Sequence, residues 1–386
     1  MNSFSGQYEK ILTTECVSRI LLLTLPCLSL CPLPSHFQYR YRREGRVSKA
    51  QCVNVADTRR ETNFFLPSFM KTLSNGIVTI GVEDHGAELC SIKCEGREYL
   101  WGAYPDYWKR HSPVLFPIVG SVWDGEFRSK GRTYSMGQHG IARDMDFTLL
   151  SLSDDEIWYE LRSSAETCTR YPYDFILRIG YKLHGHTVDV CWEVENPSDE
   201  VLPFQIGAHP AFYWPMLSDE AINEGVGAME RELSADTARG FFKLHIVNEQ
   251  KADFLPADKR FVFSEQITAK GCVSETEDSC YEVVDDMIPI STDLFDDDAL
   301  ILPDSQVDSV TILDEAQKPY LTVAFTSPLV GLWSPPKKNA PFVCIEPWYG
   351  RTDSVGYDGM FEDREHMNLL EPHETFKAQY EITIHR

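Results

Sequence analysis

The sequence lacks the short motifs that mark a bound coenzyme or a catalytic metal. It contains no GxGxxG, no P-loop and no HExxH pattern, so neither a cofactor nor a metal is predicted. It is also poor in positive charge: 36 Lys and Arg stand against 59 Asp and Glu, which gives a net charge of −23. Such an acidic surface repels phosphate backbones, so nucleic acid is not an expected partner, whereas a neutral small ligand is tolerated.

Long hydrophobic runs are scarce as well. The longest, Ile20–Leu33, has 14 residues and is broken by Pro26 and Pro32, which leaves it short of the roughly 20 needed to span a bilayer. A secretory signal is disfavoured too, because Glu9 and Glu15 lie where the segment should be basic and no small-residue cleavage site follows promptly. The sequence therefore predicts no association with a membrane.

Residues 1–69 differ in composition from the rest of the chain. They carry nine Lys or Arg and five acidic residues, a net charge of +4, and they show no sustained hydrophobic period. We interpret 1–69 as an extension that is either poorly ordered or a mis-assigned start, and 70–386 as a single domain.

The cysteines give no sign of a metal site or of disulfides. In the first 69 residues their spacing matches no paired zinc-ligand pattern, even with the nearby histidine; the residues concerned are Cys27, Cys31, His36 and Cys52. The seven cysteines of the domain form no CxxC pair. Irregular single cysteines of this kind suit buried free thiols in a reducing cytoplasm, which is the predicted location.

From residue 70 onward, apolar residues alternate with polar ones as in β-strands. The alternation is clearest in five segments: 78–82, 175–183, 188–194, 321–325 and 376–384. Two of them flank His184–Thr187 and predict a hairpin with a short glycine-containing loop. Helical periodicity is nearly absent, so only short helical turns near 218–232 are expected. These patterns predict an all-β fold, a large antiparallel β-sandwich.

Three segments place polar residues inside apolar surroundings: Gln138–Arg143, Phe204–Phe212 and Phe342–Gly350. They contain His139, His209 and Glu346, each of which can carry a proton. A glutamate that follows an apolar run and precedes Pro and Trp is expected to leave a strand into a concave wall, with a shifted pKa. Two imidazoles and one carboxylate suffice for acid–base chemistry at neutral pH, without metal or coenzyme.

Each of these residues also has an ordinary structural explanation. A single histidine beside Gly and Pro is more often a hydrogen-bonded turn residue than a catalyst, and a glutamate before proline can simply close a strand edge. The acidic run Asp293–Asp298 is better explained as a solvated turn than as a calcium loop, because it lacks the alternating acids and central glycine of that loop. Catalysis is favoured by the joint occurrence of His139, His209 and Glu346 on one all-β chain.

At these residues the sequence resembles a known family. QHGIAR around His139, GAHPAF around His209 and CIEPWYGRTD around Glu346 are similar to signatures of the aldose 1-epimerase (galactose mutarotase-like) family, and the likeness is greatest to its LacX-type branch. Four further stretches follow in the same order, beginning at Asn75, Leu100, Ser112 and Leu369. The resemblance covers essentially all of 70–386 and none of 1–69.

The resemblance implies a β-supersandwich fold and the interconversion of α- and β-anomers of an aldohexose. It implies that Glu346 is the general base on the anomeric hydroxyl, that His209 is the general acid on the ring oxygen, and that His139 orients the sugar. Gln138 and Arg143 are predicted sugar contacts. Nearby aromatic residues are expected either to face the sugar or to pack in the core, with equal weight: Phe212, Trp214, Trp348 and Tyr349.

One departure from the family pattern affects the expected substrate. Relatives of the LacX type often carry Arg after the FPIVG stretch, where this chain has Ser121, and Arg143 is the nearest possible substitute. No position matches the family's acidic ligand for sugar hydroxyls. Two alternatives to a mutarotase stay open: a hexose-6-phosphate 1-epimerase, which requires clustered Arg, and a non-catalytic sugar-binding or sensor protein. The sequence does not indicate an oligomeric state.

Overall fold

Antiparallel strands make up nearly all of the regular structure. The computed structural model describes residues 70–234, 237–252, 255, 256, 258–268 and 270–385, with the backbone alone at 275–277. The predictions made for 1–69 lie outside the described residues. Within these ranges the chain forms 25 strands and two short α-helices, and no helix among them is long and apolar enough to cross a membrane. Backbone contacts place the described residues in one compact unit.

The strands alternate along the chain with short turns. Fourteen of them precede the helices: β1 (Lys71–Ser74), β2 (Val78–Val82), β3 (Leu89–Cys94), β4 (Arg97–Glu98), β5 (Val114–Leu115), β6 (Glu126–Ser129), β7 (Arg132–Ser135), β8 (Thr148–Leu152), β9 (Glu156–Arg162), β10 (Ile176–His184), β11 (Thr187–Glu195), β12 (Leu202–Phe204), β13 (Ile206–Ala208) and β14 (Ala211–Tyr213). Eleven follow: β15 (Phe241–Ile246), β16 (Arg260–Ile267), β17 (Val273–Val283), β18 (Met287–Pro289), β19 (Leu300–Leu302), β20 (Val307–Leu313), β21 (Pro319–Phe325), β22 (Leu329–Trp333), β23 (Phe342–Tyr349), β24 (Asn368–Leu370) and β25 (Thr375–Ile384).

Two large sheets carry the fold. One has nine strands in the order β18-β15-β20-β21-β25-β11-β10-β9-β8, and the other has eight, in the order β17-β16-β19-β22-β23-β13-β5 with β14 beside β23. Smaller sheets are formed by β1-β2-β3-β4, by β12-β24 and by β6-β7. The pairings within both large sheets are antiparallel, which confirms the predicted all-β, antiparallel class.

The β10–β11 hairpin shows how the sequence pattern becomes a buried face. The predicted hairpin is present, but His184 and Thr187 pair as the last residues of the strands and do not belong to the loop. Tyr181 is buried together with the other residues of its face. On the opposite face, Gly180 lies under Trp158 of β9, and a Cβ at position 180 would stand 2.5 Å from the indole. A larger residue at 180 would therefore displace the tryptophan.

The two helices lie in the region where helical turns were expected. Helix α1 (Asp219–Glu224) begins after Ser218, whose hydroxyl oxygen accepts a hydrogen bond from the N–H of Ala221 at 3.1 Å. This is a standard N-cap, which satisfies one of the free N–H groups of the first turn. Helix α2 (Val226–Glu232) follows directly, because Gly225 adopts a φ of 100° and reverses the chain between them.

Strand β23 links the core to the site described below. Because side chains alternate along a strand, Phe342, Cys344, Glu346 and Trp348 project from one face. At its start, Phe342 stacks on Trp101 with ring centroids 4.5 Å apart and belongs to the main hydrophobic core. The same strand face thus begins with a core aromatic residue and continues into a thiol, a carboxyl and an indole.

Candidate active site

Glu346 lies within β23, in the large eight-stranded sheet, and is only 1% exposed. Buried glutamates are rare unless they have a partner or a function. Gly331 pairs with Glu346 across β22, and Gly207 pairs with Trp348 across β13. A Cβ at either glycine would stand 2.6 Å from the Trp348 ring. The two glycines therefore make room for the indole beside the carboxyl, where its Nε1 donates to the carbonyl oxygen of Ala208 at 3.2 Å.

His209 lies in the short turn between β13 and β14 and reaches the same carboxyl. Its ring stacks on Trp108 with centroids 4.6 Å apart and meets Trp333 edge-on at 5.3 Å. Its Nε2 is 3.3 Å from Oε2 of Glu346. Among the described residues, neither this Oε2 nor Nδ1 of His209 has a hydrogen-bond partner, although both are buried. Two buried polar atoms are thus free to bind a ligand.

His139 is held by a reciprocal pair of hydrogen bonds with Gly120. Its backbone N–H donates to the carbonyl oxygen of Gly120 at 2.6 Å, and the N–H of Gly120 donates to Nδ1 of the ring at 3.1 Å. Because Nδ1 accepts, a neutral ring carries its proton on Nε2. The backbone of His139 has a φ of 63°, and the next residue, Gly140, would place a Cβ 2.2 Å from the carbonyl oxygen of Phe116. The ring lies 5.5 Å from that of His209, centroid to centroid.

Burial dominates the protonation of these groups. It raises the pKa of Glu346 well above the ordinary value, and the nearby Asp298 raises it further. It lowers the pKa of His209 to about 3, with the positive charge of Arg143 adding to the effect. It also lowers the pKa of His139 well below the usual value, again reinforced by neighbouring positive groups. Burial therefore favours the uncharged form of both groups, a carboxyl beside a neutral imidazole, and the pair shares one exchangeable proton.

These groups open into a cavity of about 290 Å³. Ligand pockets in proteins start at about 300 Å³, so this volume suits one small molecule. Six of the seven predicted site residues line it: Gln138, His139, Arg143, His209, Glu346 and Trp348. The three polar segments identified in the sequence lie far apart along the chain. Each of them thus contributes residues to one cavity.

Comparison with known proteins identifies the family to which the chain belongs. A family model described as aldose 1-epimerase matches residues 70–383. The chain belongs to the aldose 1-epimerase family. Protein LacX (chromosomal) from Lactococcus lactis subsp. lactis is 29% identical over 322 residues, which cover 81% of this chain and 98% of LacX. The likeness to the LacX branch of the family is thereby confirmed.

Solved structures described as related to galactose mutarotase agree with this assignment. A galactose mutarotase related enzyme from Lactobacillus acidophilus superposes with a TM-score of 0.69 and 32% identity, covering 82% of this chain and 97% of that one. A galactose mutarotase-like protein from Lactobacillus casei ATCC 334 gives a TM-score of 0.70 and 25% identity, covering 82% of this chain and 100% of that one. The expected galactose mutarotase-like fold is therefore confirmed.

Phe212 is the predicted site residue that the structure does not bring to the cavity of this epimerase-family chain. It is fully buried in β14 and belongs to the hydrophobic core, because strand alternation turns its side chain inward. Trp214 is buried as well, and its Nε1 donates to the carbonyl oxygen of Ala340. Tyr349 shares a hydrogen bond with the hydroxyl of Thr326. Of the four aromatic residues considered from the sequence, Trp348 lines the cavity.

Three cavity residues that contact or perturb the proposed pair were not among the predicted site residues. Trp108 and Trp333 flank His209, and Asp298 faces Glu346 closely enough to raise its pKa. Asp298 ends the acidic run that was interpreted as a solvated turn, and burial raises its own pKa. Since Asp298 lines the cavity, it is a candidate for the acidic sugar ligand that could not be matched in the sequence.

Ser121 and Arg143 show how this chain differs from the expected arginine pattern. The N–H of Ser121 donates to Oγ1 of Thr352 at 2.9 Å, and that hydroxyl donates to the carbonyl oxygen of Gly271 at 2.7 Å. Small side chains thus occupy the position at which relatives of the LacX type often carry arginine. Arg143 lines the cavity, donates from Nη2 to the carbonyl oxygen of Gln138 at 2.7 Å, and has no hydrogen-bond partner for Nε in the part of the chain that is described. Burial lowers the pKa of Arg143 to about 10, so it remains positively charged at neutral pH.

Proposed function

We propose that the protein is an aldose 1-epimerase that interconverts the α- and β-anomers of a free aldohexose. The observation that carries the proposal is the 3.3 Å contact between Nε2 of His209 and Oε2 of Glu346, two buried groups at the wall of a cavity of small-molecule size. Among the described residues, Oε2 of Glu346 and Nδ1 of His209 have no hydrogen-bond partner. Membership of the aldose 1-epimerase family supports a mutarotase-like function with a sugar substrate. The identity of the sugar and the roles of the residues are part of the proposal.

In the proposed reaction, Glu346 removes the proton from the anomeric hydroxyl O1 while His209 donates a proton to the ring oxygen O5. The C1–O5 bond then breaks and an open-chain aldehyde forms. Rotation about C1–C2 presents the other face of the carbonyl. His209 takes the proton back from the O5 hydroxyl as O5 attacks C1, and Glu346 returns its proton to O1. All atoms and protons balance, and no metal or coenzyme takes part.

The one exchangeable proton shared by Glu346 and His209 allows both groups to reach the protonation states that the proposed reaction requires. A base and an acid are needed together, which means an ionised Glu346 and a protonated His209. This ion pair is a tautomer of the neutral resting pair, because both forms hold one proton. A sugar hydroxyl that bonds to both groups can favour the charged form where it reacts. A positioned acid and a positioned base each contribute roughly 10²–10⁴-fold in rate.

The remaining cavity residues hold the sugar in place in this proposal. His139 carries its proton on Nε2, since Gly120 occupies Nδ1, and can donate it to the ring oxygen or a neighbouring hydroxyl. The guanidinium of Arg143, which lines the cavity, can donate to another hydroxyl. Trp108, Trp333 and Trp348 offer apolar ring faces to the C–H side of a pyranose. The reactive pair is thus surrounded by both polar and apolar contacts.

Polarimetry on freshly dissolved α-D-galactose and α-D-glucose tests the proposal. Wild-type protein should accelerate the change in rotation, and Glu346→Gln, which keeps the shape but cannot accept a proton, should lose roughly 10²–10⁴-fold of the enzymatic rate. Glu374→Gln is the matched control, because Glu374 is exposed and should leave the rate unchanged. Equal rates for wild type and Glu346→Gln, at equal folded fraction, would remove Glu346 as the base.

A hexose-6-phosphate 1-epimerase is the second candidate, and one observation favours it. Arg143 lines the cavity and is close enough to Arg110 for its pKa to be lowered by that charge, and both arginines contact the carboxylate of Asp144. Two neighbouring guanidinium groups can bind a phosphate dianion. The same assay with α-D-glucose 6-phosphate separates the two candidates, and sugar binding without any anomer exchange would indicate a non-catalytic sensor.

We also propose a cytoplasmic location. The seven cysteines of the described part of the chain are free thiols. Unpaired cysteines are typical of reducing compartments, which supports the proposal.

A further inference from the structure

A third potential metal ligand lies beside the proposed catalytic pair. Cys344 precedes Glu346 by two residues in β23, so both side chains project from the same face of the sheet. Cys344 is fully buried and is a free thiol. Its Sγ, a ring nitrogen of His209 and a carboxyl oxygen of Glu346 all lie within 4.8 Å of one another. The proposed reaction uses the imidazole and the carboxyl but has no role for the thiol.

The spacing of these atoms suits a small tetrahedral ion. Zinc binds nitrogen and oxygen at about 2.0–2.2 Å and sulfur at about 2.3 Å, so neighbouring ligands in a tetrahedron stand about 3.3–3.6 Å apart. Nε2 of His209 and Oε2 of Glu346 are 3.3 Å apart. No hydrogen bond joins them in spite of this distance, and Oε2 has no other partner within the described ranges. Because Sγ of Cys344 lies within 4.8 Å of its two potential co-ligands, an inward movement of the thiol would complete three corners of a tetrahedron.

A second group of potential ligands, Glu88, Cys90 and His111, is less suitable. Oε1 of Glu88 already accepts hydrogen bonds from the N–H groups of His111 at 2.7 Å and Ser112 at 3.0 Å. The thiol of Cys90 donates to the carbonyl oxygen of Glu88. The carboxylate of Glu88 thus already holds the backbone of His111 and Ser112 in place. At Glu346, no backbone N–H among the described residues competes in this way for Oε2.

We propose that His209, Cys344 and Glu346 form a binding site for Zn²⁺ or a similar divalent ion, and that the bound ion inhibits the enzyme. Thiolate, imidazole and carboxylate together favour zinc, cadmium and cobalt over magnesium and calcium. The fourth position faces the cavity and takes water. Inhibition follows because the ion occupies the lone pairs with which Glu346 and His209 would transfer protons; this part of the proposal rests on the proposed function.

The charged groups around the three potential ligands act in opposite directions. Arg143 and Arg110 lie near His209 and oppose a cation, whereas Asp298 lies near Glu346 and favours one.

Cobalt spectroscopy tests the site without any measurement of activity. Titration of the wild type with Co²⁺ should produce a thiolate-to-cobalt charge-transfer band in the near ultraviolet, together with the intense visible bands of a tetrahedral site. The band should be absent in Cys344→Ala and in the size-conserving Cys344→Ser, and present in the matched control Cys90→Ser. Absence of the band in wild type, its persistence in both Cys344 variants, or its loss in Cys90→Ser would overturn the proposal.

Polarimetry then tests the inhibition. Zn²⁺ should slow wild-type mutarotation, and a chelator should restore the rate. The zinc concentration for half-inhibition, measured against each variant's own uninhibited rate, should rise more than about tenfold in Cys344→Ala and stay constant in Cys90→Ser. Equal zinc sensitivity of wild type and Cys344→Ala would refute the inhibitory role. Without any mutarotase activity the proposed function fails, while the cobalt spectrum still decides whether the metal site exists.

Discussion

Substitution of Glu346 by glutamine should stabilise the protein, and the gain should increase with pH. An unfolded chain releases the proton of a glutamic acid near pH 4.3, roughly, whereas burial keeps the carboxyl of Glu346 protonated to a higher pH. Above that pH the folded state binds one more proton here than the unfolded state, so the stability contributed by this group is lost as the pH rises towards its folded pKa. Glutamine does not titrate and escapes this loss.

The size of the effect follows from one proton. Each pH unit in this window should add about 1.4 kcal/mol to the stability of Glu346→Gln relative to wild type. His209 does not disturb the comparison, because burial keeps it neutral in both folded proteins and its titration in the unfolded chains cancels.

Urea unfolding at pH 5.5, 6.5 and 7.5, followed by tryptophan fluorescence, measures this difference. Glu374→Gln serves as the exposed control and should track wild type at every pH. The reasoning would be refuted by a stability difference between Glu346→Gln and wild type that does not change with pH, since Glu346 would then ionise in the folded protein much as it does in the unfolded chain.

Further predictions concern the proton pair, its neighbours and the core. The enzymatic kcat/KM should fall below about pH 3, where His209 gains a proton, and again above the raised pKa of Glu346, as stopped-flow polarimetry can record. Trp108→Leu should admit water to His209 and raise its depressed pKa, which NMR titration measures. Gly140→Ala should cost at least about 1–3 kcal/mol of stability in urea unfolding, because it combines a φ of 76° with a backbone clash. Phe212→Leu should reduce stability by about 1 kcal/mol and leave KM unchanged.

The fold could be predicted largely because strands repeat every two residues. The alternation from Phe175 to Glu195 indicates which side chains are buried and that a hairpin turns between the two runs, whereas the pairing of His184 with Thr187 is seen only in the structure. The order of strands in the sheets could not be predicted in this way. It depends on contacts between segments far apart in the chain, such as β11 beside β25, which no local pattern encodes.

The site was predictable where a polar residue interrupts apolar surroundings. Glu346 and His209 met that condition, and both reach the cavity. Trp108 could not be found because it lies in a loop, where no period indicates the direction of a side chain. Phe212 and Trp348 were equivalent in the sequence, and strand register alone sends one to the core and the other to the cavity. Asp298 was hidden among neighbouring acids that resemble a solvated turn.

The position of Glu346 within a paired strand limits how such an enzyme can change during evolution. A slip of one residue in β23 would turn Phe342, Glu346 and Trp348 to the opposite side together, so the core packing and the proposed site would be lost at once. Insertions and deletions are therefore tolerated only elsewhere. New sugar preferences would have to arise in the segments that present Trp108 and Asp298, which can lengthen or shorten while the strand stays as it is.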